Sequence, residues 1–108
     1  MKVFNDVYGV EIPSVQDAQI KKMQSLVDTI QGELHKSTAG YYNDSLYEDE
    51  MICKEIIGEF WYNNEIDENT PKYSDEIGKE NDKLIAMLEE QLVDIRKMVK
   101  IEILMDEL

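Results

Sequence analysis

Six apolar residues toward the C-terminal end, Leu84, Leu88, Leu92, Ile95, Val99 and Ile103, recur at intervals of 4, 4, 3, 4 and 4. Only an α-helix collects such a series on one face. With a start signal at Ser74 and Asp75, the pattern predicts a helix over 75–104, about 45 Å long at 1.5 Å per residue. A stripe of that length must be covered by other helices, which commits a chain of 108 residues to a small helical bundle. The intervals follow an eleven-residue repeat, so the helix should run straight or slightly right-handed. The segment "VKIEILM" near the end also alternates with β-branched residues. Pairing of residues 98–105 with 3–12 as strands, giving an α+β fold, is therefore the alternative to the all-α reading.

Two further helices are legible. Ile20, Met23, Val27, Ile30 and Leu34 recur at 3, 4, 3 and 4 and define a helix over 14–36. It is opened by Ser14 with Asp17 three residues on, and closed by the run from Lys36 to Gly40. A second helix over 45–62 begins at the capping box Ser45–Glu48, with Ile52, Ile56 and Phe60 inward and Met51, Cys53 and Ile57 widening that face. Residues 1–13 read as a short strand or extended arm ended by Pro13, and 63–74 as a polar, acidic loop. Together these make one all-α domain of three helices with a long C-terminal helix. Apolar residues are 43% of the chain, enough for a core without metal or disulfide, and the lone Cys53 excludes an internal disulfide.

Charge narrows the function. The chain carries 24 acids against 11 bases, a formal net charge of −13. Direct nucleic-acid binding requires clustered Lys and Arg, and an anionic membrane surface requires the same, so both are disfavoured and a basic protein partner is favoured. With no long apolar run and no secretion signal, the expected location is the cytoplasm. Lysine outnumbers arginine ten to one, and Ile, Asn, Tyr and Glu are abundant. This composition suits an AT-rich genome, that of a low-GC bacterium or its phage.

Catalytic constellations are sparse. His35 is the sole histidine, near a helix C-terminus beside Lys36, where it suits the helix dipole better than a base's role. Cys53 lies on an apolar helix face and reads as a core thiol. The pairs Glu55/Glu59 and Glu76/Glu80 have the spacing with which all-α nucleotide hydrolases hold Mg²⁺, but no Lys or Arg accompanies them to grip a triphosphate. That enzyme remains a remote alternative. A calcium loop from Asp67 fails, because Lys72 stands where glycine is needed. No cofactor and no enzymatic activity are expected.

The acids are unevenly spread. Residues 44–82 hold 13 acids and three bases, net −10, whereas 1–43 are at −1 and 83–108 at −2. The same middle third holds Tyr47, Phe60, Trp61, Tyr62 and Tyr73. In "EFWYNNEIDEN" three consecutive aromatics cannot all face one core, so Phe60 should turn inward and leave Trp61 and Tyr62 at the surface. Amphipathic aromatics beside carboxylates have the composition of a contact patch. The candidate partner-binding residues are Glu48, Asp49, Glu50, Trp61, Tyr62, Glu65, Asp67 and Glu68.

These features predict a non-enzymatic inhibitor or adaptor whose acidic surface occupies a basic, nucleic-acid-binding cleft of a larger protein. In size, charge and lack of catalytic groups the chain is similar to the small acidic phage proteins that disarm host nucleases, anti-CRISPR and anti-restriction proteins among them. An immunity protein or antitoxin that neutralises a basic toxin is the alternative. A structural helical subunit, paired through the heptad over 20–34 as a homodimer, is a second.

Overall fold

Before the first helix begins, Asn5 and Gly9 turn the chain back on itself. Gly9 takes φ of 70°, a region that costs other residues strain, and its N–H donates to the Asn5 carbonyl at 2.7 Å. Asn5 Oδ1 accepts from the Tyr8 N–H at 3.0 Å, a side-chain closure typical of Asn in turns. The expected arm is thus a hairpin, β1 (Lys2–Asn5) antiparallel to β2 (Val10–Pro13), with Val3 opposite Ile12. The computed structural model describes residues 1–36, 44–66 and 73–106 (for Asp44, Ser45 and Asp106, the backbone only).

Three helices follow: α1 (Ser14–Lys36), α2 (Asp44–Asn63) and α3 (Asp75–Asp106). Ser74 Oγ accepts from the Ile77 N–H at 3.3 Å, the capping role its position suggested. Asp17 does not serve a capping box at the start of α1. It is buried, accepting from Asn5 Nδ2 at 2.7 Å and pairing with Lys21 at 2.9 Å, so it ties hairpin to helix. The Lys21 ammonium beside it holds its carboxyl below the usual range. Residues 98–105 are helical and the two strands pair with each other, so the α+β alternative does not form.

Cross-links fix the directions. Gln19 reaches Asp82 and Glu33 reaches Arg96, each joining residues 63 apart, so α1 and α3 run parallel. Asn64 meets Asn81 at one end of α2 and Asp49 lies near Asp94 at the other, so α2 is antiparallel to α3. Both α1 and α2 pack along α3 and touch each other only sparsely, in a body of 56 × 24 × 18 Å. The core joins Ile12 of the hairpin to Ile20, Met23, Leu26 and Ile30 of α1. From α2 come Leu46, Cys53, Ile56 and Phe60, and from α3 Leu84, Ile85, Leu88, Leu92, Ile95 and Val99.

Three residues depart from the expected stripes. Ile52 is 40% exposed and Met51 41%, because α2 is rolled so that Leu46 and Cys53 line up with Ile56 and Phe60. Steps of four residues overshoot a helical turn by about 40° each, and from Phe60 inward two such steps carry Ile52 off the buried face. Ile103 is 43% exposed for a different reason. By the offset of 63, Lys36 at the end of α1 stands level with Val99, and α3 continues past it.

Candidate contact surface

The face of α2 opposite its core stripe carries Glu48, Met51, Glu55, Glu59 and Tyr62, all exposed. Their intervals of 3, 4, 4 and 3 keep them on one outward strip, about 21 Å long from Glu48 to Tyr62. Lys54 is the one base in the sequence of α2, and its Nζ lies 3.5 Å from Glu50. The strip therefore presents carboxylates with little neutralisation from its own helix, ending in a tyrosine that is 76% exposed.

The expected contact residues fall into two groups rather than one patch. Glu48, Asp49 and Glu50 lie in the first turns of α2, while Trp61, Tyr62 and Glu65 lie at its other end, because an unbroken helix separates them. Glu48 and Glu65 are exposed, and Glu50 shares Lys54. Asp49 turns toward α3; burial raises its carboxyl pKa first, then the negative charges of Asp94 and Glu48. Asp67 and Glu68 lie outside the described residues. Glu55 and Glu59, whose spacing in the sequence points only to a metal pair, connect the two groups along the exposed face. Their intervals of seven and eleven from Glu48 were the available signal.

Of the three aromatics in a row, Phe60 and Tyr62 take the expected sides, whereas Trp61, expected at the surface, is drawn in by the rings on either side of it. Phe60 is fully buried, and Tyr62 points to solvent. Trp61 is half-buried against the core. Its ring meets the edge of Phe60 at 5.1 Å and 86°, and Tyr8 of the hairpin turn at 6.5 Å and 54°. Burial raises the Tyr8 phenol. Tyr8 was not foreseen here, since nothing local in the sequence announces a contact between the hairpin turn and the end of α2.

Beneath this turn lies a cluster of buried amides that the sequence did not reveal. Asn64 and Asn81, both buried, face each other as a reciprocal pair. Each Nδ2 donates to the other's Oδ1, at 2.7 and 2.8 Å. Asn64 Nδ2 also donates to the Phe60 carbonyl at 2.7 Å, closing the last turn of α2, and Gln16 Nε2 donates to Asn64 Oδ1 at 3.2 Å. Asn81 Nδ2 donates to Gln19 Oε1 at 2.9 Å. Gln19 Nε2 in turn donates to the Gly78 carbonyl and to Asp82 Oδ1, each at 2.9 Å. Tyr73 OH donates to Gln19 Oε1 at 3.2 Å. All three helices meet in this one hydrogen-bonded set.

The remaining chemistry is quiet. Cys53 is buried and its thiol is pushed up to about 11 by burial, then by Asp49 and Glu50, so it stays protonated. Among the described residues no group of three or more His, Cys, Asp or Glu side chains is placed to hold a metal ion. A shallow groove of about 640 Å³ between α1 and α3, lined by Val15, Ala18, Lys22, Asp82, Ile85 and Glu89 among others, includes none of the expected contact residues. No described helix is long and apolar enough to cross a membrane. Compared with known families, with curated proteins and with solved structures, the chain matches none.

Proposed function

We propose that this protein is a non-enzymatic inhibitor or adaptor that lays the outward face of α2 into a basic, nucleic-acid-binding cleft of a larger protein. The observation that carries the reading is the strip Glu48–Glu55–Glu59–Tyr62, a rigid, exposed row of carboxylates ending in an exposed aromatic. Helix geometry holds Glu55 and Glu59 about 6 Å apart along the axis and Glu48 about 10 Å further, so the charges can meet a row of cations without a backbone ordering cost. The carboxylates would steer a positive partner into encounter, and Tyr62 would supply the desolvated anchor that slows its release. Charge is polarised within the molecule: α2 carries six acids and one base, whereas α1 carries three of each. One flank of the bundle is thus distinctly negative. A phage anti-defence role in a bacterial cytoplasm, of the anti-CRISPR or anti-restriction type, is the setting in which such a protein is most useful.

The experiment is capture from bacterial lysate with two baits, the wild-type protein and Glu48→Gln/Glu55→Gln/Glu59→Gln. A nucleic-acid-binding protein retained by the first bait, lost from the second and displaced by duplex DNA supports the reading. A partner retained equally by both baits, or indifferent to DNA, rejects it.

A further inference from the structure

We propose that Asn81 is a positioning residue for the contact turn: acting through Asn64, it fixes Trp61, Tyr62 and Glu65 relative to α3. This rests on reading that turn as a contact surface. A helix normally frays at its last turn, where its carbonyls lack partners. Here the last turn of α2 is held from several sides. The Asn64 N–H donates to the carbonyls of Phe60 at 3.1 Å and Trp61 at 3.3 Å, and Asn64 Nδ2 closes again on Phe60. Asn81 joins the other Nδ2 hydrogen of Asn64 and its Oδ1, and passes the constraint on to Gln19. Asn64 lies two residues beyond Tyr62 and one before Glu65, so whatever holds Asn64 holds both.

Leucines could fill such a space with more hydrophobic stabilisation, because buried polar groups gain little net energy over a well-packed apolar core. What the amide pair adds is geometry. Two reciprocal bonds near 2.7 Å form only when α2 and α3 meet at one level and one rotation, so a slip by one residue would break both at once. The pair is placed where that accuracy matters, directly under the aromatic and acidic turn.

The test needs no partner. Trp61 is the sole tryptophan, so its emission reports this turn alone. In the wild type, amide hydrogens of residues 61–64 should exchange as slowly as those of Ile56 and Ile57 in the middle of α2. In Asn81→Ala, Asn64 keeps its bonds to Phe60 and Gln16 but loses α3. Protection at 61–64 should then fall at least about tenfold relative to 56–57, since both reciprocal bonds are lost and one alone supplies up to about that factor, and acrylamide should quench Trp61 more strongly. Frayed exchange at 61–64 in the wild type overturns the proposal. So does an Asn81→Ala variant in which protection falls by one common factor throughout α1, α2 and α3, the mark of a purely structural role. Should Asn81→Ala fail to fold, the wild-type exchange pattern decides. A failed capture experiment would remove the contact reading and leave these exchange results intact, so the two ideas fail separately.

Discussion

Gly58 and Gly78 both lie inside helices, yet alanine should act on them in opposite directions. At Gly58 in α2 an added Cβ meets nothing within 4 Å, so Gly58→Ala gains the usual helix preference of alanine, about 1 kcal/mol. At Gly78 in α3 the same Cβ would stand 2.4 Å from the Tyr73 hydroxyl and 3.1 Å from the ring carbon bearing it. The ring must move away, and its hydrogen bond to Gln19 goes with it. That bond is worth about 1 kcal/mol, and Gln19 Oε1 is not orphaned, since Asn81 still donates to it. Lost packing of the half-buried ring costs roughly another 1 kcal/mol. Gly78→Ala should therefore destabilise by about 1 kcal/mol net, some 2 kcal/mol below Gly58→Ala. For a domain of this size that separates the two melting temperatures by on the order of 10 °C. Thermal unfolding of Gly58→Ala, Gly78→Ala and Gly78→Ala in a Tyr73→Ala background reads this directly. In the third variant alanine should recover its gain of about 1 kcal/mol over Tyr73→Ala alone. Equal stabilisation by Gly58→Ala and Gly78→Ala would refute the placement of Tyr73 over α3 and, with it, the edge of the amide cluster.

Two further predictions follow from the packing and the charges. Ile56→Ala and Leu88→Ala should each cost about 2–5 kcal/mol in denaturant unfolding, the usual price of a buried large-to-small change, while Ile52→Ala should cost under about 1 kcal/mol; comparable losses at all three would place the wrong face of α2 inside. Asp49 has its pKa raised by burial and by Asp94, so it binds a proton more readily folded than unfolded; the stability it contributes is complete below the ordinary carboxylate range and lost as pH rises through its folded pKa. Asp49→Asn should accordingly raise the melting temperature at pH 7 and leave it unchanged in strong acid, and a rise of equal size at both would show that charge is not the cause.

Helical periodicity carried most of the architecture. Leu84, Leu88, Leu92, Ile95 and Val99 are buried as their intervals require, and so are Ile20, Met23 and Ile30, with Leu26 taking the place expected of the half-buried Val27. Periodicity reports a face but not the fine rotation of a helix, and so it centres the face on Ile52, which is exposed, while Cys53, expected at its edge, lies well inside. Nor does it report the level at which one helix ends beside another, which is why Ile103 was misplaced. The contact surface was legible in part. Exposure of Tyr62 follows from three aromatics in a row, but the separation of Glu48, Asp49 and Glu50 from the far end of α2 follows from the length of the helix between them. The buried amides were the least visible. Asn64 and Asn81 look like ordinary surface residues in a polar context, and only the antiparallel meeting of α2 and α3 brings them together. The contact of Tyr8 with Trp61 has the same origin, a long-range meeting for which no local pattern exists.

On the proposed reading, the negative flank of α2 would supply the electrostatic part of the binding energy for a basic partner. The most direct measurement is the association and dissociation rates of the captured partner with the wild type and with Glu48→Gln/Glu55→Gln/Glu59→Gln, from about 0.05 to 0.5 M salt. The variant should fold as well or slightly better, since self-repulsion falls, but associate more slowly, and salt should slow the wild type more steeply than the variant. Tyr62→Ala should instead leave association nearly unchanged and speed dissociation by roughly 30-fold, the equivalent of a 2 kcal/mol anchor. Rates that ignore both salt and the loss of the three carboxylates would show that this flank of α2 does not bind the partner.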